Sequence, residues 1–154
     1  MTPLTGTAVH HVGMSVSDLD ASLAFWEAFL GVEARWRATL DRPYLGRNVG
    51  YPGVRIDAAF IDLPDGSTLE LLDYRGIDRE PLPEASGNPG HVHLCLGVEH
   101  LDHVYERALA AGARPVCPDG PQEVDGGPNR GARAVYLRVP PDDASVELFQ
   151  PPTP

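Results

Sequence analysis

The chain has 154 residues, 42% of them apolar and 22% charged, with a formal charge of −10 at neutral pH. That is enough apolar material for one globular domain built from small halves. An acidic surface repels phosphate backbones, so nucleic acid and anionic membrane are poor partners. All 12 bases are arginine, which excludes a lysine Schiff base, covalently held pyridoxal phosphate and a lysine-type phosphate loop. No apolar run nears the roughly 20 residues that span a bilayer. Met1 to Val9 lacks the basic start and apolar stretch of a signal peptide. Cys95 and Cys117 make no disulfide framework, so a reducing cytoplasm is the expected compartment.

The chain opens on a strand pattern, His11-Val12-Gly13-Met14-Ser15-Val16. Ser17 is the expected N-cap of the next helix, with Asp20 completing a weak capping box. Leu19, Leu23, Trp26 and Leu30 keep helical spacing, and Gly31 suits the C-terminal cap. That spacing makes Trp26 a core residue. Asp41 to Gly53 reads as a loop carrying Pro43, Tyr44, Arg47, Tyr51 and Pro52. Two strands come next, Ala58 to Leu63 and Thr68 to Leu72, joined by the turn Pro64-Asp65-Gly66. Gly76 to Gly90, rich in proline and acid, is the expected linker.

The order then repeats. His93-Leu94-Cys95-Leu96-Gly97-Val98 matches the first strand, and Leu101-Asp102 matches Leu19-Asp20 at the same spacing. Leu101, Val104 and Ala108 mark a helix face that ends at Gly112. Pro118 to Gly131 reads as an adaptable loop. Ala134 to Val139 and Val146 to Phe149 flank the turn Pro140-Pro141-Asp142-Asp143. A glutamate stands six residues after the turn proline in both halves, Pro64 to Glu70 and Pro141 to Glu147. Each half thus reads as strand, helix and a meander of about three strands. The expected organisation is a single domain over 1–154, with modules at 8–75 and 91–150 and a linker at 76–90.

A lone histidine on a strand is an ordinary core residue, and a lone buried glutamate is only costly. Two of each in repeat register suggest a shared partner. His11, Glu70, His93 and Glu147 would suit a divalent transition metal with positions open to water or substrate. His10 and His91 are the competing histidines, and the repeat alignment selects His11 and His93. Cys95 is expected to pack in the sheet as a small apolar residue. Arg42, Arg47 and Arg55 flank the first loop, and Arg130 and Arg133 the second. They could grip an anionic substrate group or simply be solvated. Tyr44, Tyr51 and Arg130, with Arg47, are the substrate-contact candidates.

The strand His11 to Val16, with Asp18-Leu19 and a helix closing on Leu30-Gly31, resembles the first module of the vicinal oxygen chelate superfamily. That group includes glyoxalase I, methylmalonyl-CoA epimerase, extradiol dioxygenases and bleomycin-binding proteins. The resemblance runs from about Val9 to Gln150. It implies an α+β fold of two tandem βαβββ modules, whose curved mixed sheets form a cleft around a metal. It places the ligands at His11, Glu70, His93 and Glu147, and the metal among Zn, Ni, Co, Mn and Fe. The family's usual turn before the last ligand is altered here to Pro140-Pro141-Asp142-Asp143. The resemblance further implies an isomerase or lyase that moves a proton next to a carbonyl through a metal-stabilised enolate, with Glu147 and Glu70 as proton carriers. An Fe(II) ring-cleaving dioxygenase would use His11, His93 and Glu147 alone. A non-catalytic drug-binding protein would use a cleft of aromatic and acidic residues, for which Trp26, Trp36, Tyr44 and Tyr51 are available. The expected partners are a small-molecule substrate and a second copy in a homodimer.

Overall fold

A computed structural model describes residues 5–83 and 87–152, so residues 84–86 of the expected linker and the first four residues lie outside the description. The chain divides into two compact units, Met1–Arg79 and Glu80–Pro154. The architecture is α+β, with one mixed sheet in each unit. No helix among the described residues is long and apolar enough to cross a membrane.

The first unit runs β1 (Val12–Ser15), α1 (Leu19–Leu30), β2 (Trp36–Leu40), α2 (Pro43–Asn48), β3 (Arg55–Asp62) and β4 (Thr68–Arg75). The sheet order is β1-β4-β3-β2, with β1 parallel to β4 and the remaining pairs antiparallel. Side chains alternate between the faces of a strand. Leu69, Leu71, Ala59 and Ile61 are all buried on one face, and so are Leu19, Leu23, Trp26 and Phe29 of α1. The helix starts one residue later than expected: Asp18, not Ser17, caps it by accepting from the Ala21 amide at 3.0 Å. Asp20 instead pairs with Arg37 at 2.6 Å. Gly31 closes the helix with φ 73°, a left-handed conformation that glycine adopts without strain.

Asp41 to Gly53 is not all loop. Pro43 opens α2, where its fixed φ fits and its missing N–H is no loss. Leu45 and Val49 then pack on the second face of the sheet, against a cluster of Val54, Ile56 and Ala58 that also takes in Trp36, Leu40, Leu72 and Tyr74. Gly46 makes this closure possible. A Cβ there would lie 2.7 Å from the Tyr51 carbonyl oxygen and 3.1 Å from the Gly53 nitrogen.

The second unit runs β5 (Leu94–Gly97), α3 (Leu101–Ala110), β6 (Arg114–Pro115), β7 (Gln122–Glu123), β8 (Arg133–Val139) and β9 (Ala144–Gln150). Its order is β5-β9-β8-β6, with β7 also pairing β8. As in the first unit, the first strand is parallel to the last. Val135, Leu137, Val146 and Leu148 are buried in the sheet, with Leu101 and Ala108 of α3. The expected loop Pro118 to Gly131 contributes β7, and backbone bonds from Val124 to Ala132 and from Gly131 to Val124 close its base. Both hairpin turns use a left-handed residue at the same place: Gly66 with φ 85° and Asp143 with φ 55°. Aspartate tolerates that region better than most side chains, which explains how the altered turn still delivers Glu147.

Matching devices fasten each helix to its sheet. Val16 N–H donates to the Leu72 carbonyl and Val98 N–H to the Phe149 carbonyl, both at 2.9 Å. In the first unit the Leu19 amide faces buried Asp73 at 3.4 Å. Asp73 also pairs with Arg75 at 2.5 Å and Arg79 at 2.9 Å, and Arg79 donates to the Val16 carbonyl. In the second unit the Leu101 amide donates to Gln150 Oε1 at 2.8 Å.

Removing one partner of a buried ion pair leaves charge uncompensated. Asp73→Ala is expected to lower stability by about 3 kcal/mol, the low end for such a deletion because both arginines are partly exposed. An unchanged urea midpoint would refute this. A second expectation concerns acid. Thr39 Oγ1 donates to Asp57 at 2.6 Å, and this bond, helped by Arg55 and Arg75, holds the Asp57 carboxyl below its usual range. A depressed folded value stabilises the fold above the unfolded value, and the benefit is lost as pH falls through the folded one. Thr39→Val should therefore destabilise at neutral pH and by less in strong acid, as read from urea unfolding at both; equal losses would refute it.

Candidate metal centre

The parallel pairing of first and last strand builds the same contact in each unit. His11 and His93 stand one residue before β1 and β5. Gly13 is in register with Glu70, and Cys95 with Glu147. Each histidine lies two residues before that position, hence on the same face as the glutamate. His11 Nε2 lies 3.0 Å from Glu70 Oε2, and His93 Nε2 lies 3.1 Å from Glu147 Oε2. The exposures match as well: 37% and 16% in the first pair, 41% and 15% in the second.

Two lone-pair donors this close repel unless a proton or a cation lies between them. Donor atoms bound to one metal at about 2.1 Å and at right angles would be about 3 Å apart. Each pair therefore fits as half of a metal's ligand set. The glutamates are mostly shielded from water, and the ion-pair partner of each is its histidine. Among the described residues no group of three or more His, Cys, Asp and Glu side chains forms a metal cage. Each unit presents one imidazole and one carboxylate at this spacing.

The competing histidines are placed elsewhere. His91 Nε2 contacts the Pro83 carbonyl at 2.8 Å. His10 Nδ1 lies 2.8 Å from His11 Nδ1, so one ring donates there and the other accepts. This fixes the orientation of His11, whose Nε2 is left to face Glu70.

An aromatic residue stands across from each glutamate: Phe60 pairs with Glu70 and Tyr136 with Glu147. Their rings lie 6.3 Å from His11 and 5.1 Å from His93. Counting outward from the two turns could have found both, since the turn sets hairpin register. In the second unit Tyr136 and Cys95 flank Glu147 in register, one on each neighbouring strand. Desolvation, then the charge of Glu147, pushes the Tyr136 hydroxyl above its usual value. The same causes push the Cys95 thiol up to about 11. Cys95 is exposed on the Glu147 face and not packed in the core as expected. In the first unit Tyr74 is raised mainly by desolvation, then by Glu70 and Tyr51.

Of the substrate candidates, Tyr51 meets Tyr74 edge to face, with ring centres 6.1 Å apart. Tyr44 and Arg47 are exposed on α2. Arg130 lies in the loop after β7, exposed, with its amide donating to Gly127. Trp26 is fully buried, as helical spacing predicts, and Trp36 packs on Phe60 with ring centres 4.9 Å apart. Arg133 forms a two-pronged pair with Asp102 at 2.7 and 2.8 Å.

A hydrogen bond to the far nitrogen of a ligating histidine commonly sets metal affinity within a factor of 10–100. His10→Ala is expected to weaken Zn2+ binding about 10-fold by calorimetric titration, and His91→Ala to leave it unchanged. Equal affinities for His10→Ala and the parent would remove His10 from the site.

Known proteins share this fold and much of this sequence. A profile of the Glyoxalase/Bleomycin resistance protein/Dioxygenase superfamily matches residues 10–136. A protein named 2-epi-5-epi-valiolone epimerase from Actinomyces sp is 31% identical over 137 residues, covering 86% of this chain and 74% of that protein. The uncharacterized protein YwbC of Bacillus subtilis (strain 168) is 30% identical over 142 residues, covering 92% and 96%. Among solved structures, a glyoxalase family protein from Bacillus cereus superposes with TM-score 0.75 at 23% identity, covering 98% of this chain and 100% of that one. A glyoxylase/bleomycin resistance protein/dioxygenase domain from Frankia sp. EAN1pec gives TM-score 0.65 at 25% identity, covering 94% and 92%. The chain belongs to the glyoxalase/bleomycin resistance protein/dioxygenase superfamily.

Proposed function

We propose that the protein is a metal-dependent isomerase of the epimerase type, acting at a carbon next to a carbonyl. The observation that carries this reading is the duplicated His–Glu contact, in which both units offer one imidazole and one carboxylate at the same spacing. His11 with Glu70, and His93 with Glu147, would each supply two ligands to a divalent ion from the Zn, Ni, Co, Mn and Fe group. When bound, the metal acts as a Lewis acid that polarises the substrate carbonyl and makes the adjacent C–H acidic.

The protein's own groups then handle the proton. Glu147 can accept it, since a carboxylate beside an acidified carbon is a competent general base. Tyr136 and Cys95 flank the same carboxylate from the two neighbouring strands. A second acid is needed to return the proton, and Glu70 is the equivalent carboxylate of the first unit. Removal by one carboxylate and return by the other inverts the carbon, which is epimerisation; return by the same one does not. The epimerase name of the Actinomyces relative supports the first outcome. A three-ligand iron oxygenase has no use for Glu70, whose pairing with His11 favours the isomerase reading. A homodimer is part of the same proposal.

Elemental analysis and solvent exchange test this. Protein purified without added metal should retain a divalent ion. It should also exchange the carbon-bound proton of a compact α-hydroxy ketone in D2O, as monitored by proton NMR. Glu147→Gln should keep its circular dichroism spectrum, lose metal and slow exchange at least about 100-fold. Full metal content and full exchange in Glu147→Gln would overturn the proposal, as would rapid oxygen uptake by the iron-loaded protein with a catechol.

A further inference from the structure

Among the described residues, two polar side-chain atoms of α1 are buried without a hydrogen-bond partner: Ser22 Oγ and Trp26 Nε1. Ser22 is 1% exposed and Trp26 is fully buried. Buried polar atoms are nearly always paired, with protein or with ordered water, because burial strips away the solvent that would satisfy them. A helical serine can fold back onto a carbonyl of the preceding turn. Here the Asp18 carbonyl takes the Ser22 amide at 3.0 Å and the Asp18 carboxylate takes the Ala21 amide, while the Ser22 hydroxyl bonds neither. The aromatic neighbours of Trp26 are Phe25 and Phe29, with ring centres 5.3 and 6.2 Å away, and a phenyl ring offers the indole no lone pair.

The two residues are also neighbours. Four positions apart on a helix, they share one face with Cβ atoms about 5–6 Å apart. Helical side chains lean toward the N-terminus, which tilts Trp26 back over the turn that holds Ser22. With bonds of about 2.9 Å, one water bridges polar atoms up to about 5.8 Å apart. Serine is the shortest side chain of the buried stripe Leu19, Ser22, Leu23, Phe25, Trp26 and Phe29. Trp26 Nε1 is a donor and Ser22 Oγ both donor and acceptor, and a helix carbonyl keeps a second lone pair for the water's other hydrogen. Those are the partners a buried water needs. The second repeat has no such pair. Leu19-Asp20 aligns with Leu101-Asp102, so Ser22 and Trp26 align with Val104 and Ala108, which carry no polar side-chain atom.

We propose that Ser22 and Trp26 form a buried binding site for one water molecule, which accepts from Trp26 Nε1–H and bonds Ser22 Oγ. Helix α1 packs on β4 and β3, and in β4 the fully buried Leu69 and Leu71 flank Glu70. The water thus belongs to the helix that backs the strand presenting Glu70. It is independent of the metal and of the reaction proposed above.

The test is rotating-frame Overhauser NMR of the isotope-labelled full chain, with the two indole signals told apart by Trp36→Phe. A bound water gives a cross-peak opposite in sign to the diagonal, whereas proton exchange gives one of the same sign. Trp26 Nε1–H is expected to show the opposite-sign peak at the water frequency. Ser22→Ala, a change that favours the helix, should keep the amide spectrum of the sheet, abolish that peak and move the indole proton upfield. A parent protein without the peak, or a peak undiminished in Ser22→Ala, would overturn the proposal. An atomic-resolution crystal structure of the parent guards against a folding defect in the variant and against a relay through the serine hydroxyl. It should show an ordered oxygen within hydrogen-bond reach of both side chains. A direct Ser22–Trp26 bond, or close packing with nothing between the two, sinks the idea.

Discussion

A carboxylate set mid-strand on a sheet face must find positive charge or hydrogen-bond donors, because partial burial removes the water that would otherwise solvate it. Glu70 and Glu147 meet that demand with a histidine from the neighbouring parallel strand. The residue in register with the carboxylate is small in both units. At position 13 it is glycine, whose missing Cβ would lie 3.8 Å from Glu70 Oε2. At the matching position 95 it is cysteine, a short side chain in register with Glu147. Strand order, parallel pairing and small residues all serve this single contact, and the rest of each unit holds it in place.

Much of this is legible in the sequence because duplication supplies an internal control. His11 and His93 are chosen over His10 and His91 because each leads into the same small-residue and valine pattern. In the structure His91 meets a backbone carbonyl and His10 orients His11. Helix α1 is readable from its apolar spacing and Gly31, and both hairpins from their turns. Other features are hidden for physical reasons. Ser17 and Asp18 are both good caps, and only the backbone decides between them. Helix α2 has six residues, one of them glycine, too few for periodicity to show; Pro43 is its one local signal. Cys95 reads as a core residue by type, yet its alternation places it with Glu147. Phe60 and Tyr136 emerge only when register is counted back from the turns.

The copies have also diverged in ways that a repeat alignment alone would pass over. Asp73 and Gln150 do equivalent work at the starts of α1 and α3, one as the centre of an arginine cluster and the other as a neutral amide. The first unit closes over its glutamate face with α2, and the second spends the equivalent length on an edge strand. Fold and His–Glu pair are shared, and the cover over the surrounding sheet face is where the halves differ.

Gly46 carries an unexpected share of that difference. In most helices a glycine is a weak point that alanine would improve. Here a single methyl group would collide with backbone at 2.7 Å, and backbone cannot swing aside as a flexible side chain can. The residue acts as a spacer of zero thickness. It sets how low the Tyr51–Gly53 segment rides above the sheet, and so whether the first repeat stays sealed. Even an alanine there would have to push the Tyr51–Gly53 segment outward and loosen the cover over the first repeat.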